Sequence, residues 1–213
     1  IASLRNVFAS IGAGALAKQF VDTSDKLNLL DARLKLATSS VSEFKSQQEK
    51  LLQISLQSYT AINDTVTLFT KLNPALKQVG ASTEQVNNVV ATFVKGLQLG
   101  GSSVQEASSA ILQFSQAMGS GVLRGEEFNA IAEASPKLMT YLAEGLGVAQ
   151  GQLRKMAENG ELTASKVSNA LLKVKDTIDK DFATLPVTVA KAMTNLSTAT
   201  SLMIQDIDKT LGA

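Results

Sequence analysis

A glycine-rich stretch near the start of the chain is the first candidate for chemistry. Residues 12–17 have the sequence GAGALA and match the G-x-G-x-x-A pattern that binds the pyrophosphate of a dinucleotide. That chemistry needs a strand before the glycines, a helix after them and a later acid for the ribose. Here Leu4, Phe8 and Ile11 recur at helical steps before the glycines, and no strand–helix alternation follows. We interpret these small residues as a site of close helix packing.

A second candidate is Ser42, which with Lys45 has the S-x-x-K spacing of a penicillin-binding nucleophile. Such enzymes also carry a polar S-D-N element and a K-T-G strand, and the sequence contains neither. A serine that caps a helix, followed by a solvated lysine, accounts for the same residues. We therefore predict a helix start here.

Acidic residues form two further candidate groups. Asp176, Asp179 and Asp181 could offer oxygen ligands to a metal ion, but the ligand order and central glycine of a calcium loop are missing. We interpret them as a solvated helix end. Glu126 and Glu127 are adjacent, so on a helix they point about 100° apart and cannot converge on one bond. Acids in a first helical turn favour the helix dipole, and this is the role we predict.

The composition also disfavours catalysis. The 213 residues include no histidine and no cysteine, so the commonest general base and the strongest nucleophile are both missing. We predict no catalytic, cofactor-binding or metal-binding residues and no enzyme activity. The lack of cysteine removes disulfides and thiolate metal sites together, which fits a reducing compartment.

Charge and hydropathy narrow the classes of partner. Twenty basic and 19 acidic residues are spread evenly, so the basic patch of a nucleic-acid binder is missing. No run reaches the roughly 20 apolar residues of a membrane span. Residues 7–17 imitate the core and cleavage site of a signal peptide, but they continue smoothly into a helical pattern. The chain opens on Ile1 rather than Met, and we expect it to be part of a longer protein.

The elements that would position these groups are helices. Only three prolines interrupt a sequence rich in Ala, Leu and Val. Leu27, Leu30 and Leu34 belong to a first amphipathic helix, which should stop near residues 38–40. A second helix should begin near Ser42 and end by Asn73, because Pro74 disfavours helical geometry in the residue before it. Its apolar face carries Phe44, Leu52, Leu56, Tyr59, Ile62, Val66 and Phe69. Residues 1–75 thus predict a long antiparallel helical hairpin.

From residue 76 to residue 182 the predicted helices are shorter than those before them. Ser82 and Ser103 each precede Gln or Glu by three residues, the spacing of a capping box. Ser135 followed by Pro136 suits another helix start, and Gly160 is placed to stop a helix. The helices that we predict here span about residues 83–97, 104–118, 124–132, 136–144, 150–159 and 163–182. This region should form a compact multi-helix domain.

The last segment, residues 183–213, predicts one long helix that opens at Pro186. Its apolar stripe comprises Val189, Met193, Leu196, Met203, Ile207 and Leu211. A helix with a single apolar face must bury it, either against the hairpin or against another subunit. The predicted fold class is all-α: a long hairpin, a cluster of short helices and a long C-terminal helix.

One segment has an order and spacing of residues that are more specific than those of a generic helical sequence. Between residues 115 and 171, glycines, paired acids and Ser135-Pro136 punctuate a series of short helices. The residues that carry the pattern are Gln116, Gly119, Gly121, Leu123, Gly125, Glu126, Glu127, Phe128, Glu133, Ser135, Pro136, Leu142, Ala143, Gly145, Gly147, Leu153, Arg154, Lys155, Met156, Gly160, Leu162 and Thr163. In order and spacing they resemble a segment of phage and prophage tail tape measure proteins. The likeness extends more loosely from about residue 42 to residue 180.

The resemblance implies a structural role. Tape measure proteins are long, mostly helical chains that occupy the lumen of a growing tail tube and set its length. It implies the tail tube protein, tail-tip or baseplate proteins and tail assembly chaperones as partners, and a homo-oligomer is a further expectation. It also implies assembly in the host cytoplasm and a final place in the virion tail. No catalytic residues carry over, because the motif consists of folding signals.

A helical binding module, such as an effector or adaptor, is the alternative. Its amphipathic hairpin would dock a partner helix or a membrane surface, although mixed charges on these helices disfavour a membrane. An enzyme of another type is a third reading, which the missing histidine and cysteine disfavour.

Overall fold

In a computed structural model, the described backbone covers residues 13–211 and the described side chains cover residues 21–204. The described chain contains eleven helices, and the predicted all-α class is confirmed. They are α1 (Ala13–Leu36), α2 (Val41–Ser58), α3 (Ile62–Lys77), α4 (Thr83–Leu99), α5 (Val104–Ser120), α6 (Gly125–Ala134), α7 (Pro136–Leu146), α8 (Gln150–Glu158), α9 (Ala164–Lys173), α10 (Lys175–Phe182) and α11 (Val189–Leu211). None of the helices in this part of the chain is long and apolar enough to cross a membrane.

The predicted second helix is in fact two helices, α2 and α3. Tyr59 caps α2 in the left-handed conformation, with φ of 54°. The Ser55 hydroxyl donates to the Thr60 carbonyl at 2.6 Å, and the Thr60 amide donates back to the Ser55 carbonyl at 3.1 Å. Side-chain hydroxyls that bond nearby backbone groups compete with helix continuation. The local serine and threonine network therefore ends the helix that apolar spacing alone predicted to continue.

The predicted end at Asn73 is also wrong, because α3 continues through Pro74 to Lys77. Leu72 and Leu76 flank the proline and are both buried in the core. The Pro74 carbonyl still accepts a hydrogen bond from the Gln78 amide at 3.3 Å. Burial on both sides of the proline stabilises one last turn despite the missing N–H, which is an example of packing that overrides local preference.

Two later boundaries differ as well. The helix predicted from Thr163 to Phe182 breaks at Val174, whose φ and ψ are −98° and 5°. Val174 and Ile178 are both buried, so the change of direction lets both reach the core. The final helix begins at Val189 rather than at Pro186.

The core is one contiguous cluster that runs from Leu27 in α1 to Ile178 in α10. Helix α4 lies at its centre and packs on α3, α7, α9 and α10. Phe93 of α4 stacks on Phe114 of α5, with 3.8 Å between ring centroids. Leu27, Leu30 and Leu34 are buried, as their spacing predicted. The apolar core is therefore continuous across residue 76, and the proposed division into domains at that point stays a prediction.

Candidate functional site

The segment that carries the tape measure pattern folds into the short-helix module, which we define as helices α6, α7, α8 and α9 with their connecting turns. Its buried apolar side chains include six from α6, α7 and α8. These six are Phe128, Ile131, Leu138, Tyr141, Leu142 and Leu153. Leu146 and Met156 are half-buried and pack against the same cluster.

Two turns of the module are joined by a short antiparallel bridge, which we call the clasp. The Leu123 amide donates to the Leu162 carbonyl at 2.9 Å, and the Ala164 amide donates to the Gly121 carbonyl at 2.8 Å. Gly121 adopts φ of 92° at the end of α5, which L-residues rarely tolerate. This glycine therefore turns the chain into the bridge, and the clasp closes the loop of residues 122–163 that contains α6, α7 and α8.

Ser135 fixes the start of α7 against α4. Its hydroxyl accepts a hydrogen bond from the Leu138 amide at 3.2 Å and donates one to the Gly96 carbonyl at 3.0 Å. The predicted cap at Ser135-Pro136 is thus confirmed, and its second bond is a tertiary contact. Gly100 makes the approach possible, because a Cβ there would lie 2.3 Å from the Ser135 Oγ. Gly96 and Gly100 lie four residues apart, and this spacing of small residues could have signalled the close approach.

A second close approach joins α7 to α9. A Cβ on Gly145 would lie 2.3 Å from the Ala170 carbonyl oxygen, inside van der Waals contact. The obstacle is backbone and cannot rotate away, so the helices can pack at this distance only with glycine at position 145. Gly145 belongs to the pattern for this packing reason, and no ligand is needed to account for it.

The acidic candidates on α10, the helix that follows the module, form protein contacts. Asp179 accepts hydrogen bonds from the Lys95 ammonium at 2.5 Å and the Lys175 ammonium at 2.6 Å. Burial alone would raise the pKa of Asp179, but these two hydrogen bonds outweigh burial and hold the pKa below its usual value. Asp181 accepts a hydrogen bond from the Tyr141 hydroxyl. Only Asp176 is fully exposed, so a solvated helix end describes this residue and not the other two.

Sequence reasoning missed Lys95, which lies 84 residues before its partner Asp179. Nothing in the local pattern pairs residues at that separation. Burial raises the pKa of Tyr141, and its hydrogen bond to Asp181 and the charge of that carboxylate act in the same direction. Among the described residues no group of three or more metal-ligating side chains comes together. The charged groups of this region therefore hold α4, α7 and α10 together.

The remaining candidates lie on α1, α2 and α6. Gly12 lies outside the described residues, whereas residues 14–17 are inside α1 and so form no phosphate-binding loop. Ser42 and Lys45 are exposed on α2, and the residue that caps this helix is Ser40, whose hydroxyl accepts from the Glu43 amide at 3.0 Å. Glu126 and Glu127 both lie in the first turn of α6, the position that the sequence predicted.

Fold and site together define a helical structural module, in which serines, glycines and ion pairs set how the helices meet. A comparison with protein families agrees: the family model described as tape measure protein matches residues 18–209, about nine-tenths of the chain. The chain belongs to the tape measure protein family, which is a structural family of phage tail components. No curated protein and no solved structure matches the chain.

Proposed function

We propose that this chain is a region of a tail tape measure protein that acts in tail assembly and in setting tail length. The family match over residues 18–209 carries the proposal. The clasp and the close helix contacts support it, because they make the short-helix module a folded unit of fixed size. The module would serve as a firm end or anchor for the more extended helices of a ruler, each of which contributes about 1.5 Å of length per residue.

The same proposal assigns partners and location. The chain would contact the tail tube protein, proteins of the tail tip or baseplate, and tail assembly chaperones. It would be assembled in the bacterial cytoplasm and end inside the virion tail. No catalytic role belongs to this proposal, since Asp179 and Asp181 are engaged by Lys95, Lys175 and Tyr141.

The test is deletion of residues 13–211 in the phage or prophage that encodes the chain, followed by electron microscopy of the particles. We expect tails to be absent or of irregular length. The matched control carries Gly151→Ala, at an exposed helical glycine with nothing within 4 Å of the added Cβ, and should form normal tails. Tails of normal number and length after the deletion would reject the proposal. They would favour the alternative of a binding module that acts elsewhere.

A further inference from the structure

A groove of about 540 Å³ lies on the surface where helices α1, α3 and α5 meet. Helix α3 packs against both α1 and α5, so it forms the floor, while the other two helices form the walls. Leu36 stands on the α1 wall and Leu112 on the α5 wall, with Thr67, Thr70 and Pro74 on the floor. We call this surface the α1–α5 groove.

The floor of the α1–α5 groove is small and uncharged. Thr67, Thr70 and Pro74 follow one another at steps of three and four residues, so they lie on one face of α3. The Thr70 hydroxyl already donates to the Thr67 carbonyl at 3.0 Å. From residue 67 to residue 74 the floor is about 10 Å long, the length of two helical turns. Small side chains let a helix lie close to α3, between the two walls.

Both walls of the α1–α5 groove carry a large apolar side chain that water reaches. Leu36 is 89% exposed and Leu112 is 49% exposed. Single exposed leucines are common on protein surfaces, but these two line one groove from opposite sides. A helix laid on α3 would bury both leucines at once, which is the way that amphipathic helices dock in apolar grooves.

The charges of the α1–α5 groove have one sign. Arg33 on α1 and Lys71 on α3 are exposed and line the groove, and no acidic side chain among the described residues lines it with them. Neither cation forms an ion pair in the part of the chain whose side chains are described. The Lys71 Cδ lies 3.9 Å from the position that a Cβ on Gly119 would take, so the lysine stem reaches toward the end of α5. The groove therefore offers two positive charges to a ligand that brings carboxylates.

The combination of walls and charges selects the class of partner. A nucleic acid is bound by a row of cations along its phosphates, and this groove has only Arg33 and Lys71. A membrane surface is broad, whereas the floor of the groove is recessed between two helices. Two leucines facing each other, with a cation on α1 and another on α3, instead match a helix that has an apolar face and acidic flanks.

We propose that the α1–α5 groove binds an acidic amphipathic helix of a partner protein. The apolar side chains of that helix lie between Leu36 and Leu112, and its carboxylates lie beside Arg33 and Lys71. A contact two turns long is smaller than a standard stable interface, which buries roughly 1,200–2,000 Å². The binding is therefore reversible, and it weakens at high salt because exposed charges contribute to it.

The first test uses a designed peptide as the probe. It is an amphipathic helix of about 15 residues, with leucine at every third or fourth position and glutamate on both flanks. A second peptide carries lysine in place of each glutamate. Fluorescence anisotropy with the 213-residue chain should show that the acidic peptide binds at least about tenfold more tightly than the lysine peptide. Absence of binding, or equal binding of the two peptides, would overturn the proposal.

The second test locates the binding with matched variants. Lys71→Glu should lower the affinity for the acidic peptide at least about tenfold, whereas Lys45→Glu, at an exposed lysine on α2, changes the net charge equally and should leave it within about twofold. Leu112→Ala should weaken binding several-fold. Leu196→Ala, at a leucine of α11 that is 58% exposed and outside the groove, should not. Equal losses in the groove variants and their controls contradict the proposal.

A reversal of charge sharpens the second test. In the double variant Arg33→Glu with Lys71→Glu, the preference should invert, so that the lysine peptide binds more tightly than the acidic one. Both residues are exposed, so we expect the circular dichroism of the helices to stay unchanged. A folded double variant that still prefers the acidic peptide rejects the groove as the site. Should the double variant unfold, the comparison of Leu112→Ala with Leu196→Ala still decides.

Vesicles of phosphatidylserine and a short duplex DNA test the two excluded classes of partner. The chain should bind neither of them in a way that Lys71→Glu removes. Binding to either that is lost in this variant, while the acidic peptide does not bind, would assign the cations to a membrane or to nucleic acid and overturn the proposal.

The inference goes beyond the proposed function and fails separately from it. A chain that ignores the acidic peptide, while its deletion still abolishes normal tails, removes the role of the α1–α5 groove and leaves the tail function. A chain that binds the peptide through Lys71 and Leu112, while its deletion leaves tails unchanged, does the opposite.

Discussion

The short-helix module turns most of its large apolar side chains into the core, whereas α11 turns Lys191 and Asn195 inward and leaves large apolar side chains such as Leu196 exposed. Leu153 in the module is fully buried, and Leu196 in α11 is more than half exposed. A helix-capping hydroxyl and close glycine contacts set how the helices of the module meet. The difference teaches that the module buries its apolar surface among the described residues, whereas those same residues leave the apolar face of α11 exposed.

The largest contrast should come from leucine-to-alanine changes in the two regions. Leu153→Ala removes buried methyl groups and leaves a cavity, so we expect a loss of about 2–5 kcal/mol in unfolding free energy. Leu196→Ala should change it by less than about 0.5 kcal/mol at concentrations where the chain is monomeric. Urea denaturation followed by circular dichroism measures both. Similar losses in the two variants would show that α11 is covered within the chain.

A pair of glycines sharpens the account of close packing. Gly145→Ala places a Cβ 2.3 Å from the Ala170 carbonyl oxygen, so we expect a loss of about 1–3 kcal/mol. Gly151→Ala should be neutral or stabilise by up to about 1 kcal/mol, because its Cβ meets nothing and alanine favours a helix. Thermal and urea unfolding of the two variants provide the comparison. Equal behaviour would mean that α7 and α9 lie farther apart than described.

Two capping serines distinguish a cap with a tertiary contact from a cap alone. Ser135→Ala loses the bond to the Leu138 amide and the bond to the Gly96 carbonyl at a buried site, so we expect about 1–2 kcal/mol. Ser103→Ala loses an exposed capping box on α5 and should cost about 1 kcal/mol or less. Hydrogen exchange at the start of α7 and α5 locates each effect. A larger cost at Ser103 would contradict the assigned role of Ser135.

The smallest effect should be that of Asp179, and it depends on pH. Its folded-state pKa is lowered, so its ion pairs stabilise the fold above the unfolded pKa of about 3.9. This contribution is lost as the pH falls through the folded-state pKa. Asp179→Asn should therefore cost about 1 kcal/mol or less at pH 7, and the cost should shrink as the pH falls through the folded-state pKa. The matched control is Asp176→Asn, at a fully exposed residue, which should leave the unfolding free energy at pH 7 nearly unchanged in the same denaturation experiment.

Local signals predicted the helices where the deciding contacts are local. Ser82 and Ser103 form the capping boxes that their spacing indicated, and Gly160 has the positive φ of a helix stop. The sequence did not predict the helix break at Tyr59. This break depends on hydroxyl hydrogen bonds and on the left-handed backbone conformation of Tyr59, and the spacing of apolar residues indicates neither.

The sequence alone could not predict contacts between residues that lie far apart in the chain. The pairing of Lys95 with Asp179 arises only when α4 and α10 are packed together. The helical periodicity of the sequence predicted the apolar stripe of α11. It did not predict that the stripe is exposed, because periodicity alone does not say which face of a helix packs against the protein. The contacts of Lys191 with the Tyr59 ring and of Asn195 with the Leu56 carbonyl lie on the side of α11 that is opposite the exposed stripe.

The clasp has a mechanical consequence for a chain that is drawn lengthwise. Tension applied at the two ends of the chain reaches the bond between the Ala164 amide and the Gly121 carbonyl first, and peels it before the Leu123–Leu162 bond. The 42 residues from 122 to 163 carry no load while the clasp holds. Once it opens they can extend by up to about 140–150 Å at 3.3–3.6 Å per residue. A single-molecule pulling trace should show the release of this length as one discrete step when the clasp opens.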